Sequence, residues 1–565
     1  MKKVRILAIT ILCLCLAFAF ASCGKGTEGE SETEFVTVDD ATASEASLTE
    51  PNTESLIESK GLAFVSNGDG TCSVSGIGDC ADAEVVIPIL SSTGETVTGI
   101  KDRAFKDCKT VTSVFIPESV KTVGRFAFYN CTNLSSVMIS DGVKTIGEDA
   151  FHGCSALSSV SVGKGVTGFG ENSFYNCSNL TSFTVPTGAK AIGNAAFYGC
   201  SALASVAIPD TVTVIGERAF SDCASLTSVV VPDSVKSIGA EAFAGCTGLE
   251  SITLPFIGAK AGLTASDDNL YPLGYIFGKL SSSSGTSTVQ LYQESPGKLN
   301  QAEYYIPSSL KTVTVTGGEI VIGAFSNCVN LTAVLLPDGI SVIGAYAFYS
   351  CVELRTLTIP ETVTTIGDSA FAACIQLTTR IPDGVTTLGI GAFSGCVSLS
   401  PTIVVGKNLT SIGAGAFASF SQATSLTVES GNPVYFSSGN CLIEKGTGKL
   451  VAGCNYSVIP TDGSVTSIGE FAFSGIVGRM TSVTIPNGVR SLGGYSFYYC
   501  TTLASVTIPA SVTDIGSAAF GLCSALTVIR FEGTMAQWNA INKETDWNAE
   551  TGNYTVYCTD GDVKR

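Results

Sequence analysis

The sequence predicts a mostly β solenoid built from coils of about 23 residues, with short helical or 3-10 turns on the side opposite the strands. Three observations predict it. Phe105, Phe128, Phe151, Phe174, Phe197, Phe220 and Phe243 each follow the last by 23 residues, and self-similarity at such a period marks a repeat array. Each tile contains a stretch of the form L-x-x-V-x-I-P, in which apolar and small polar residues alternate as they do in a half-buried strand. Thirteen of the 21 cysteines fall in one slot, three residues after the Phe.

Composition narrows the chemistry. The chain has 565 residues and a formal net charge of −18, which argues against nucleic acid and against electrostatic docking on anionic lipid. A single histidine, His152, rules out a Ser-His-Asp relay and a His-rich metal cage. His152 is expected to be an ordinary surface residue, and no cofactor, metal or catalytic residue is expected.

Taken in order, Lys2, Lys3 and Arg5 precede an apolar run over residues 6–20, the layout of an export signal. Phe20-Ala21-Ser22-Cys23 resembles a bacterial lipobox, so residues 1–22 read as a lipoprotein signal peptide and Cys23 as the lipidation site. Residues 23–60, rich in Ser, Thr and Glu, cannot bury enough apolar surface to offset their ordering entropy and read as a disordered acidic tether. Residues 61–99 read as an N-terminal β cap with a hairpin about Asn67-Gly68-Asp69-Gly70.

Residues 100–255 form the first repeat array. In its strands Val206 and Ile208 should point inward and Ser205 and Ala207 outward. The V-x-x-I-G stretch should bring the chain round, with Gly supplying a backbone angle that other residues resist. A turn about Ala-Phe then seats each Phe on the Phe of the next coil. The repeated cysteines form a line rather than a cluster, which suits buried free thiols better than a zinc site or a disulfide set. Disulfides between Cys72 and Cys80, or Cys441 and Cys454, are left open.

The period breaks over residues 256–318, an insertion whose aromatics Tyr271, Tyr275, Phe277, Tyr304 and Tyr305 form either a binding patch or the insertion's own small core. A second array covers residues 319–430, a β-hairpin insertion 431–463, a third array 464–530 and a C-terminal cap 531–565. The cap holds both Trp residues.

The I-G-x-x-A-F-x-x-C-x-x-L-x-x-V-x-I-P tile, complete from Ile215 to Pro232, resembles the BspA-type leucine-rich repeat of bacterial surface proteins. That resemblance implies a right-handed leucine-rich-repeat solenoid exposed at the cell surface and a role in adhesion to host matrix proteins or to other cells. It carries no catalytic residues. The chain is therefore expected to be a non-enzymatic, monomeric, lipid-anchored binding protein whose partner is an extracellular protein or glycan, touching membrane only through its N-terminal lipid. The outward strand residues Ser136, Ser159, Ser182, Ser205, Ser228 and Ser251 form its candidate binding face. The alternatives are a structural spacer without a ligand and, more remotely, a glycan hydrolase using two carboxylates.

Overall fold

The computed structural model describes residues 57–264, 266–279 and 285–564. The expected signal peptide, the expected lipidation site Cys23 and most of the expected tether lie outside the described residues. The rest is a β solenoid of about 21 turns with coils of about 23 residues and 2% helix.

Most coils contribute to two parallel ladders and one row of turns. The first ladder uses the V-x-I strands, as in Ser113–Ile116, Ser136–Ile139 and Ser159–Val162, which pair with Ser113, Ser136 and Ser159 in line. The second uses the V-x-x-I-G stretch, where Ala191–Ile192, Val214–Ile215 and Ser237–Ile238 pair in register. This stretch is thus a strand in its own right, only two residues long.

The glycine that follows it does not serve the purpose expected from the sequence. Gly147, Gly170 and Gly216 lack a positive φ. A Cβ on any of them would instead lie 2.6 to 2.8 Å from a main-chain nitrogen of the preceding coil. Glycine is required here because two backbones meet, not because the chain bends.

The left-handed angles occur on the turn side. Arg103, Phe126, Asp149, Asn172, Ala195, Arg218 and Glu241, each two residues before a core Phe, have φ between 48° and 63°. A second left-handed residue follows the Phe by two, as at Asp107, Asn130 and Gly153. The alternation has a use, because it aims every second N–H along the solenoid axis. Phe126, Phe128 and Asn130 donate to the carbonyls of Glu148, Ala150 and His152 in the next coil at 2.9, 2.7 and 2.6 Å. Left-handed backbone costs about 1 to 2 kcal/mol per residue, and the axial hydrogen bonds offset it.

Inside, the phenylalanines stack as the period predicts. From Phe105 to Phe243 successive ring centroids lie 4.8 to 5.5 Å apart with planes within 9°. Further stacks run from Phe325 to Phe393 and from Phe473 to Phe520. Burying each ring contributes about 2 to 3 kcal/mol.

The ends and interruptions follow from the need to cover this core. Ala63–Ser66 and Thr71–Gly76 form the hairpin at the N-terminal end, and its inner strand pairs in parallel with Thr96–Ile100. At the other end Trp547 meets Phe520 edge-on at 6.2 Å and Trp538 at 6.0 Å, so the two Trp residues close the stack. The helix Met535–Ala540 that carries Trp538 starts at a capping box between Thr534 and Gln537.

In the first insertion Thr286–Ser295 and Lys298–Ile306 pair as an antiparallel hairpin. The second insertion has three strands rather than two, Tyr435–Ser438, Cys441–Glu444 and Lys449–Ala452. It divides the core. Leu442, Ala452 and Cys454 pack with the N-terminal coils, whereas Cys441, Ile443 and Leu450 pack with the C-terminal ones. Cys441 and Cys454 therefore belong to different sides of the hairpin. Both are free thiols, as are Cys72 and Cys80.

Because Phe197 stacks between Phe174 and Phe220 and also meets Phe169 and Phe183, Phe197→Ala removes four ring contacts at once. It is expected to destabilise the array by about 3 to 5 kcal/mol, read as a lowered midpoint in urea unfolding.

Candidate functional site: the outward faces of the coils

On the strand side, Ser159, Ser182, Ser205 and Ser228 are exposed, and Ser136 and Ser251 are half-buried. They do not form one ladder. Ser113, Ser136 and Ser159 are in line, Ser182 pairs with Ser205, and Ser228 pairs with Ser251 and then Thr312. The ladder opens between Val162 and Ser182 and again between Ala207 and Ser228.

The first opening coincides with extra volume inside the coil. Phe169 takes the place of the usual Ile, and Phe183 that of the usual Val. Their rings meet edge-on at 5.6 Å and are both buried. Overfilling of this kind pushes strands apart.

The second opening makes a hollow lined by Ser205, Val206, Ser228, Val230, Asp233 and Thr316, with Ile208 and Asp210 at its margin. Val206 and Ile208 point inward as expected but are only half-buried, because the hollow opens onto them. Val230 is 62% exposed. Thr316 Oγ1 donates to Asp233 Oδ1 at 2.5 Å, which fixes one carboxylate at the rim. The hollow therefore offers hydroxyls, a small apolar floor, two carboxylates and the main-chain edges of two strands that no longer pair.

The insertion divides its aromatics. Phe277 and Tyr304 are buried and belong to its core. Tyr305 is half-buried, with its N–H donating to the Gly278 carbonyl at 3.0 Å. Tyr271 and Tyr275 are half-buried and stack on one another at 4.6 Å. Desolvation and the neighbouring Tyr271 and Glu217 raise the Tyr275 hydroxyl above its ordinary pKa.

On the turn side, His152 is not an isolated surface group. Its ring stacks between Tyr129 and Tyr175, 4.6 Å from each, and Nδ1 lies 2.7 Å from Asp149 Oδ1. Sequence reasoning missed this arrangement, although Tyr129, His152, Tyr175 and Tyr198 recur at the same 23-residue interval as the core phenylalanines.

The cysteine line has a role beyond filling space. Eleven of the thirteen thiols, all but Cys108 and Cys328, donate to the carbonyl of the core Phe in the coil before, for example Cys131 to Phe105 at 3.0 Å, Cys200 to Phe174 at 3.2 Å and Cys523 to Phe497 at 3.1 Å. Burial pushes the Cys200, Cys246 and Cys523 thiols up to about 12. A thiol so placed is neither a nucleophile nor a metal ligand at neutral pH. Among the described residues no group of three or more His, Cys, Asp or Glu side chains is placed to hold a metal ion.

Comparison with known proteins identifies the repeat. The family model described as the BspA type leucine rich repeat region matches residues 89–203, 167–261, 318–437 and 449–544, well over half of the chain. No curated protein matches. Among solved structures, the chain is similar to a leucine rich cell surface protein from Faecalibacterium prausnitzii, with 25% identity over 87% of this chain and 99% of the other and a TM-score of 0.34. It is also similar to a leucine-rich repeat protein from Bacteroides ovatus, with 22% identity, 89% and 99% coverage and a TM-score of 0.34. A third is the T. pallidum leucine rich repeat protein, with 28% identity, 34% and 88% coverage and a TM-score of 0.31.

The thiol line makes the array sensitive to alkali. Below the ordinary thiol value of 9.0 the folded and unfolded chains both hold these protons; between it and about 12 only the unfolded chain releases them. Raising pH through that window therefore favours unfolding. Thermal midpoints are expected to fall steeply from about pH 9 to about pH 12, and less steeply in a Cys200→Ala, Cys223→Ala variant.

Proposed function

The chain belongs to the BspA-type leucine-rich repeat family, and from that premise we propose that it is a cell-surface binding protein, lipid-anchored at Cys23, that engages an extracellular protein or glycan through its strand face. The observation that carries this reading is the hollow at the opened rung between Ala207 and Ser228. A regular ladder presents the same small polar residues at every coil and discriminates nothing. At the hollow the repetition stops. Exposed Val230, the hydroxyls of Ser205 and Ser228, and the carboxylates of Asp210 and Asp233 then converge on one concave place. Concavity with a few placed polar groups is what recognition requires, and the side chains on hand supply contact rather than catalysis.

The acidic surface adds a second consequence. With a net charge of −18, the protein repels polyanions and favours neutral or basic ligands. The stacked Tyr271 and Tyr275 support a second contact on the insertion, since amphipathic aromatic rings are common anchors at interfaces.

The test is binding of the intact chain to immobilised matrix proteins and mucin glycans, compared with a Ser205→Arg, Ser228→Arg variant. Surface substitutions of this kind change stability by roughly 0.5 kcal/mol or less. A loss of about tenfold or more in affinity is expected if the hollow is the site. The same loss on Tyr271→Ala, Tyr275→Ala, with the Arg variant unaffected, moves the site to the insertion. Binding no stronger than that of an unrelated acidic solenoid removes the reading and leaves a spacer.

A further inference from the structure

Four consecutive coils place an aromatic ring directly after the core Phe: Tyr129, His152, Tyr175 and Tyr198. All four are half-buried and line up along the solenoid axis. Successive centroids are 4.6 Å apart, with interplanar angles of 25°, 11° and 5°. The fold does not need these rings. The same position is held by Ser221, Ser326, Ala372 and Ser394 in other coils, each buried, and those coils close just as well.

Charged groups flank the column. Lys106 Nζ lies over the Tyr129 ring at 5.4 Å, Asp149 Oδ1 lies 2.7 Å from His152 Nδ1, and Asp222 raises the Tyr198 hydroxyl above its ordinary pKa. Beside it runs a second row, Asn130, Gly153, Asn176 and Gly199. A Cβ at Gly199 would come within 2.1 Å of Asn176 Oδ1, so glycine is what lets the amide lean over the next coil. The Asn176 amide thereby lies over the next coil, whereas Asn130 Nδ2 donates to Asp107 Oδ1 of the coil before at 2.8 Å.

Rings stacked on one another have used up their faces. They present edges, phenolic hydroxyls and the second imidazole nitrogen, which makes a row of hydrogen-bonding groups at one per coil rather than a stacking platform. We propose that this column is a binding strip for a neutral polysaccharide chain lying along the solenoid axis. A repeating surface suits a repeating ligand. An extended peptide advances about 3.3 to 3.4 Å per residue and falls out of step with a 4.6 Å column within two residues, whereas one hexopyranose unit spans about one coil. The net charge of −18 selects against acidic glycans. The strip lies on a different side of the coil from the hollow near Ser228, and the proposal stands independently of that site.

The test uses the intact chain against neutral polysaccharides, with pull-down for insoluble β-glucan and chitin and affinity electrophoresis for mannan and starch. The wild type is expected to bind at least one of them. Tyr129→Phe, Tyr175→Phe keeps the stack and removes two hydroxyls, so it should weaken that binding by about tenfold without moving the melting temperature. Val458→Ser, at an exposed position in the second insertion, should leave it unchanged. Failure to bind any of the polysaccharides overturns the proposal, and so does a Phe variant that binds like the wild type. A matrix protein or peptide whose binding is lost in Tyr175→Ala, with no polysaccharide bound, overturns it in favour of a protein partner.

Discussion

The constraint on which the structure depends is that each coil must repeat the one before it, atom over atom, at the spacing of a β ladder. Once the main chain is hydrogen-bonded at that interval on three sides, every inward side chain rests on its own equivalent. A flat ring suits such a column, because parallel rings near 5 Å fill it without voids. The same constraint excludes a side chain at Gly147 or Gly170, where the adjacent backbone already occupies the space of a Cβ. It also explains the thiols. A small apolar group with one weak donor can fill its slot and still reach the Phe carbonyl of the preceding coil.

Regularity of this kind leaves little room for recognition, and the places where the column changes are therefore the informative ones. Phe169 and Phe183 overfill one coil, and the strand ladder parts there. A second parting leaves Val206 and Ile208 incompletely covered. On the turn side, aromatic residues replace small ones for four consecutive coils and recur singly at Tyr349 and Tyr498. Each departure costs some of the array's uniform packing, and each puts chemistry on the surface that the repeat alone lacks.

Much of this was legible in the sequence because the period is strict. Residues that stack on their own kind, such as Phe197 on Phe220, announce themselves by spacing alone. The second ladder was not legible as strand, since two residues such as Val214 and Ile215 are too few to show an alternation. The glycine after it was read for its dihedral freedom, because sequence displays the residue and not the neighbour 2.6 Å from where a Cβ would stand. His152 looked ordinary when taken alone. Its meaning lies in Tyr129 and Tyr175, one coil away on either side, and only the period connects them. Of the partings of the strand ladder, the first has a mark in Phe169 and Phe183, where the repeat has Ile and Val, but the second, between Ala207 and Ser228, falls between tiles of the ordinary pattern and had no local signature.

The three-stranded hairpin near residue 440 acts as a wall between two separate cores. In a molecule whose coils contact only their neighbours, such a wall limits how far disorder spreads. The coils from Phe473 to the Trp547 closure, with their own stack and their own plug, can keep their shape while the longer part in front yields. Pulled from its N-terminal end, the protein would then lengthen in stages like a rope with a knot in it. The part beyond the knot would be the last to give.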